Sequence, residues 1–235
     1  QKRLDAMNSQ ISELQTKVDD LTAGEIVATG QCGENIYYVL YDNGKLLLRG
    51  TGATYDYTSH DSVFYQNDQI KEIVLSNGIT SLGDRLFYHC ANAETVSLPA
   101  TLASIGDSAF ADCYSLSTVT FSNSLKSIGD GAFKKTNLKK VTIPNSVTEI
   151  GVYAFSGCEN LSSLTLSNKL DRIDEYCFEN CTSLTSVTLP NSVTEIGGYV
   201  FDRCSSLKTA SIGSGLKYCY TQGDSRFIFS DCIAL

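Results

Sequence analysis

The sequence predicts a repeat solenoid built from short parallel β-strands, one strand per unit of about 23 residues. Three observations predict it. An aliphatic anchor returns at Leu82, Ile105, Ile128, Ile150, Ile173 and Ile196, with Cys219 next in the column, and only the step from Ile128 to Ile150 is one residue short. A frame of the form I-G-x-x-A-F-x-x-C follows the anchors. Each unit then carries a stretch of strand periodicity, as where Val119 and Phe121 alternate with Thr118 and Thr120. Units of this kind cannot bury their apolar face alone, so they stack on one another. The chain divides into a stalk helix at 1–23, a β cap at 24–69 and the solenoid at 70–235, truncated in its last repeat.

In the first segment, Leu4, Met7, Ile11, Leu14, Val18 and Leu21 are spaced alternately three and four residues apart. That is the seam of a coiled coil, with Thr22-Ala23-Gly24 ending the helix. The plainer account is one amphipathic helix packed on the body. The narrow stripe favours self-association into a homo-oligomer. A β-branched first seam position with leucine at the second leans towards a parallel dimer. The flanking Arg3, Asn8, Gln10, Gln15, Lys17 and Thr22 offer no charge pairing, so a trimer stays open.

The cap reads as a hairpin. Ile36–Tyr41 and Lys45–Arg49 are apolar-rich, and Asp42-Asn43-Gly44 between them is a strong turn signal. A solenoid needs such a cover over its first open coil.

The solenoid strands recur at Ile73/Leu75, Val96/Leu98, Val141/Ile143, Leu164/Leu166, Val187/Leu189 and Ala210/Ile212. Side by side they would form one parallel sheet, with Phe110, Leu116, Leu125 and Ile128 filling the coil as inward columns. The glycine column Gly83, Gly106, Gly129, Gly151 and Gly197 suggests a positive φ after each anchor, with Asp174 as a tolerated exception. The three prolines, Pro99, Pro144 and Pro190, follow the strand in alternate repeats, whereas Ser122 and Ser167 hold that place between them. The module is therefore two repeats long. A five-residue insertion within Tyr220–Ile228 breaks the frame before Phe229, Cys232 and Leu235 resume it.

Nine cysteines are many, yet Cys90, Cys113, Cys158, Cys181, Cys204 and Cys232 fall in one column. Stacked strands lie about 4.8 Å apart, whereas a disulfide wants Cβ atoms near ~3.8 Å. A ladder of free, buried thiols is expected. No zinc-type spacing is present, and Cys177 with Cys181 alone makes no site.

The repeat resembles the leucine-rich repeat of the BspA-like (Treponema pallidum type) bacterial surface proteins over about residues 70–235, through its I-G-x-x-A-F-x-x-C frame. Cys32-Gly33-Glu34-Asn35, Asp42-Asn43-Gly44 and Gly50-Thr51-Gly52-Ala53 look like the segment that precedes such repeats, although Val63-Phe64-Tyr65 stands where that segment often carries tryptophan. The resemblance implies an extracellular location on the bacterial surface and an adhesive role towards a protein ligand or host receptor.

Chemistry is sparse. The net charge of −8 argues against nucleic-acid binding. No apolar run is long enough to span a bilayer. Neither His60 nor His89 has a partner pattern, carboxylates look scattered rather than columnar, and no catalytic, phosphate-binding or calcium-binding motif appears. No cofactor and no metal are expected, and a non-enzyme is the reading.

Binding candidates come from outward columns. One row runs Thr95, Thr118, Lys140, Ser163, Ser186, Thr209, and the next Ser97, Thr120, Thr142, Thr165, Thr188, Ser211. Threonine suits an exposed strand without any ligand; the functional version is a hydroxylated face for a protein or glycan. Tyr153, Tyr176 and Tyr199 form a stripe, favoured as packing in the resembling family but able to stack sugars. Lys134, Lys135, Lys139 and Lys140 make a local basic run. The insertion, with Tyr218, Tyr220, Arg226 and Phe227 in or beside it, is ranked first because packing does not require it. The leading expectation is a surface adhesion protein on a coiled-coil stalk. The alternatives are the receptor-binding end of a phage tail fibre, hence a virion component, and a carbohydrate-binding module.

Overall fold

A computed structural model describes residues 24–58, 60–220 and 228–235. The expected coiled-coil stalk, with Leu4, Met7, Ile11, Leu14, Val18 and Leu21, lies outside the described residues. Among those described there is no helix.

The cap consists of β1 (Ile26–Gly33), β2 (Ile36–Tyr41), β3 (Lys45–Gly50) and β4 (Gly52–Ala53). The expected hairpin is present, with Ile36 opposite Gly50 and Leu40 opposite Leu46. Its turn holds Gly44 at φ 87°, and the Lys45 amide donates to Asn43 Oδ1 at 2.9 Å. Strand β1 pairs antiparallel with β2 and makes the sheet one strand wider than expected. Its sequence, IVATGQCG, has no apolar alternation to announce it.

Strands then alternate along the chain in two series. The first is β5 (Glu72–Leu75), β7 (Thr95–Ser97), β9 (Thr118–Val119), β11 (Lys140–Thr142), β13 (Ser163–Thr165), β15 (Ser186–Leu189) and β17 (Thr209–Ile212). The second is β6 (Ile79–Leu82), β8 (Ser104–Ile105), β10 (Ser127–Ile128), β12 (Glu149–Ile150), β14 (Arg172–Ile173), β16 (Glu195–Gly197) and β18 (Tyr218–Tyr220). The single-sheet expectation is thus corrected. The anchors themselves stand in a second parallel sheet, continuous from β4 to β18, with Leu82 beside Ile105 and Ile150 beside Ile173. Two-residue strands show no periodicity, so the sequence concealed them. They form because an extended segment must pair its amides and carbonyls, and in a stack the partner is the same segment one coil away. The cap continues both sheets, since β3 pairs with β5 and β4 with β6.

Between the sheets the core is columnar. Phe64, Phe87, Phe110, Phe133, Phe155, Phe178 and Phe201 are buried, and neighbouring rings stack with centroids 5.2–5.5 Å apart. All nine cysteines are unpaired. In the ladder each thiol donates to a phenylalanine carbonyl of the preceding coil, as Cys90 to Phe64 at 3.1 Å, Cys113 to Phe87 at 3.2 Å and Cys204 to Phe178 at 3.3 Å. Burial pushes the Cys90 thiol up to about 12.

The glycine column does not have the positive φ that was expected of it. Its cause is close approach: a Cβ on Gly106 would stand 2.7 Å from the Asp84 nitrogen and the Gly83 carbonyl carbon. At Asp174 the column carries a carboxylate held by Arg172, whose Nε lies 2.7 Å away. Positive φ falls instead in two other columns. One is Arg85, Ser108, Gly131, Tyr153, Tyr176 and Tyr199; the other is His89, Asp112, Lys135, Gly157, Asn180 and Arg203. These kinks aim alternate amides at the next coil, so that Arg85, Phe87 and His89 donate to the carbonyls of Asp107, Ala109 and Ala111 at 2.8–2.9 Å. Left-handed backbone costs about 1–2 kcal/mol per non-glycine residue; these inter-coil bonds offset it.

Carboxylates also form a column, contrary to expectation. The amides of Asp84, Asp107, Asp130 and Val152 donate to the Oδ1 atoms of Asp56, Asp84, Asp107 and Asp130 at 2.7–3.0 Å. Burial raises the Asp130 carboxyl, the Val152 amide opposes this, and the charge of Asp107 adds to the rise. Each carboxylate satisfies an amide beside the tight glycine turn, which is a structural task.

Candidate functional site

The outward rows lie as expected. Thr118, Thr120, Lys140, Thr142, Ser163, Thr165, Ser186 and Thr188 are exposed. Thr95 pairs beside Thr118, Thr142 beside Thr165, and Thr188 beside Ser211. The sheet that carries them is not continuous. It runs from β1 to β9, stops, resumes as β11 with β13, and again as β15 with β17. The break between β13 and β15 coincides with no change in repeat length, and nothing in the structure explains it.

The break between β9 and β11 has a cause in the sequence. Cys113-Tyr114-Ser115-Leu116 in one coil becomes Thr136-Asn137-Leu138 in the next, one residue shorter and with threonine in the cysteine column. The shorter turn pulls the chain off register. The Lys139 amide reaches the Ser117 carbonyl only at 3.4 Å, whereas Ser117 to Glu94 is 3.1 Å and Glu94 to Lys71 is 2.8 Å. No ladder pairing joins β9 to β11, although the second sheet is intact there.

A cleft of about 460 Å³ opens at this place, lined by Thr118, Thr120, Phe121, Lys139, Lys140, Thr142 and Pro144. Phe121 is half-buried and meets Phe133 edge-on at 5.5 Å, which gives the cleft an apolar wall. The structure thus brings together five of the residues singled out in the sequence: Thr118, Thr120, Lys139, Lys140 and Thr142. Thr165 and Thr188 continue the row beyond it. Sequence reasoning missed Phe121 and Pro144 as part of this site; the short step between Ile128 and Ile150 was the signal.

The basic run is split. Lys139 and Lys140 face the cleft, while Lys134 and Lys135 line a separate polar groove of about 500 Å³ with Tyr114, Glu159, Asn180 and Arg203. Lys134 Nζ sits 4.7 Å over the Tyr153 ring, and Lys135 approaches Asp112 at 3.9 Å. At that separation, with the lysine half exposed, the pair contributes little.

Tyr153, Tyr176 and Tyr199 stack on one another at 4.8 and 5.1 Å with nearly parallel planes. Burial raises the Tyr153 and Tyr176 hydroxyls. Inner ring faces are therefore occupied, and Lys134 covers Tyr153 in addition. Tyr220 donates its hydroxyl to Asp174 and lies under Arg172, 5.7 Å from the ring centre. It is tied into the fold rather than presented. Tyr218 is exposed, and Arg226 and Phe227 lie outside the described residues. A second aromatic cluster joins His60 to Tyr65 at 4.5 Å, Tyr65 to Tyr88 at 5.8 Å and His89 to Tyr114 at 5.5 Å. The shared column of Tyr65 and Tyr88 could have revealed it.

Among the described residues no group of three or more histidine, cysteine or acidic side chains is arranged to hold a metal. No helix among them is long and apolar enough to cross a membrane.

Comparison with known proteins gives one family and several folds. The BspA type leucine-rich repeat region family matches in six copies, over residues 58–162 and 126–232. A leucine-rich repeat protein from Bacteroides ovatus is 26% identical, over 79% of this chain and 54% of that one, with a TM-score of 0.64. The chain thus spans about half the length of that relative. The leucine-rich repeat protein of T. pallidum is also 26% identical, over 74% of this chain and 88% of its own, with a TM-score of 0.57. No curated protein matches the chain.

Proposed function

Because the chain belongs to the BspA-type leucine-rich repeat family, we propose that it is a non-catalytic interaction protein of the bacterial cell surface that binds a protein ligand through the outer face of its first sheet, at the cleft between β9 and β11. The observation that carries this reading is the interruption of a regular ladder. The ladder is interrupted there, and Thr118, Thr120, Lys140 and Thr142 line the cleft with hydroxyls and positive charge. Hydroxyls, a lysine pair and an apolar wall in one cleft can select a protein segment through its side chains. Lysines favour an acidic ligand. Family membership supports the surface location and the adhesive role. A non-enzyme is supported by the chemistry of the thiols, since burial raises Cys113, Cys177 and Cys181 well above their ordinary range and away from nucleophilic thiolate.

The carbohydrate reading is less favoured, because the tyrosine stripe stacks on itself and leaves little ring face for a sugar. The tail-fibre reading rests on the stalk and gains no support from the described residues. The test is binding of the intact chain to an array of immobilised host matrix glycoproteins, their deglycosylated forms and free glycans. Capture by deglycosylated protein, lost in K139E/K140E and T120R, supports the proposal. Capture indifferent to those substitutions removes the site, and capture by free glycans alone replaces the ligand class.

A further inference from the structure

Two side chains are missing from neighbouring columns on the turn side of the solenoid. The Asn160 side-chain amide donates to Asn137 Oδ1 at 2.6 Å, so Asn137 belongs to the column of Asn160. The residue lost from the short coil is therefore the one that would stand between Tyr114 and Glu159. In the next coil, Gly157 interrupts the column of Lys135, Asn180 and Arg203. The polar groove of about 500 Å³ opens where these two side chains are absent, and from Tyr114 to Arg203 it crosses four coil steps of about 4.8 Å each.

The groove has one apolar surface. Tyr114 is 48% exposed, and His89 meets its ring nearly at right angles, 5.5 Å away, which fixes its orientation. On the side of the short coil nothing in its own column covers it. The remaining lining is polar and partly held in place: Ser156 donates to Glu179 Oε2 at 2.9 Å, and the Asn180 side-chain amide reaches Glu159 Oε1 at 3.4 Å. These bonds leave donors and acceptors mixed. The side-chain nitrogen of Asn137 and the side-chain oxygens of Asn160 and Asn180 have no partner among the described residues. Lys134, Lys135 and Arg203 stand against Glu159 and Glu179, so charge of neither sign dominates.

We propose that this groove is a second binding site, for a neutral oligosaccharide, with Tyr114 as the platform for one sugar ring. A sugar hydroxyl both donates and accepts, so it uses a mixture of amides and carboxylates that a simple anion does not. The apolar face of a sugar ring needs one flat aromatic surface, and Tyr114 supplies it. A peptide would call for deeper apolar anchors, and Tyr114 is the only apolar surface among the lining residues. The site lies apart from the self-stacked stripe of Tyr153, Tyr176 and Tyr199, and it does not depend on the cleft between β9 and β11.

The test applies the intact chain to an array of neutral oligosaccharides, uronate-bearing and sulfated oligosaccharides, and peptides, and then titrates the best neutral ligand by NMR. Neutral oligosaccharides are expected to be captured. Tyr114→Ala should weaken that binding roughly tenfold and abolish the ring-current shift of the sugar protons, whereas Tyr114→Phe keeps both. Asn160→Ala should weaken it as well, and K139E/K140E should leave it unchanged, which separates this site from the protein-binding cleft. Tyr114 and Asn160 are exposed, so the unfolding midpoint checks that each variant keeps its fold. If Tyr114→Ala lowers that midpoint, Gly157→Asn takes its place, since asparagine tolerates the φ of 72° there and its side chain fills the groove. Neutral binding that is indifferent to these substitutions, capture of acidic oligosaccharides alone that fades with salt, capture of peptides alone, or no capture at all overturns the proposal. The second of these outcomes reduces the groove to the charges of Lys134, Lys135 and Arg203.

Discussion

Thr136 Oγ1 lies 3.2 Å from Cys158 Sγ, and both side chains converge on the carbonyl of Phe133, at 2.9 and 3.3 Å. This is the one coil among those described in which the thiol ladder is replaced by a hydroxyl, and it is the coil with the shortened turn. Restoring the frame by Thr136→Cys together with a serine inserted after Asn137 should return Lys139 to register. The expected outcome is slower hydrogen exchange at amides 139–142, about 1 kcal/mol of added stability from recovered ladder bonds, and loss of any binding that depends on Lys139 and Lys140. Denaturant titration and exchange measurements check it.

The glycine columns separate close approach from backbone conformation. A Cβ on Gly106 meets backbone atoms of the preceding coil at 2.7 Å, whereas Gly131, at φ 61°, has its nearest contact at 3.3 Å, on the Ser108 hydroxyl. Gly106→Ala is expected to cost roughly 2–3 kcal/mol through overpacking, and Gly131→Asn less than about 1 kcal/mol, since asparagine tolerates left-handed backbone. Equal costs in thermal or chemical unfolding would contradict the assignment.

Tyr176 combines a favourable stack with an unfavourable φ of 57°. Alanine there loses the stacking, worth about 0.5–1.5 kcal/mol, and keeps the strained backbone. Glycine loses the same stacking but relieves about 1 kcal/mol of strain. Tyr176→Gly should therefore unfold at a higher denaturant concentration than Tyr176→Ala, the reverse of the order found at ordinary positions.

The thiols make the fold sensitive to alkali. Burial lifts Cys32 and Cys90 to about 12, and Cys158 and Cys232 to about 11, from an ordinary 9.0. The folded chain holds these protons where the unfolded chain releases them. Stability is thus full below pH about 9 and falls as pH rises towards 11–12. Melting temperature should drop across that window, and replacing Cys90 with serine or alanine should shrink its share of the drop. A thiol titration of the denatured chain should count all nine.

The period, the inward phenylalanines, the free cysteine ladder and the hairpin over 36–49 are all legible in the sequence, because each is a side-chain requirement repeated at a regular spacing. Stacking turns such a spacing directly into a column. What escaped is decided by backbone. The second sheet arises from segments of two to four residues, too short to display an alternation, yet bound to pair with the next coil. The cause of the glycine column is an inter-coil distance, which no single repeat contains. Tyr220 looked like an insertion residue free to bind, and only the closing of one coil on another placed its hydroxyl on Asp174, forty-six residues earlier in the chain. The candidate cleft stands between these cases. The missing residue near Asn137 was visible as a short step, but whether the chain would absorb it in the turn or open the sheet depends on which hydrogen bonds give way. The tertiary structure decided that, stretching the Lys139–Ser117 contact on one face while keeping the ladder of the other.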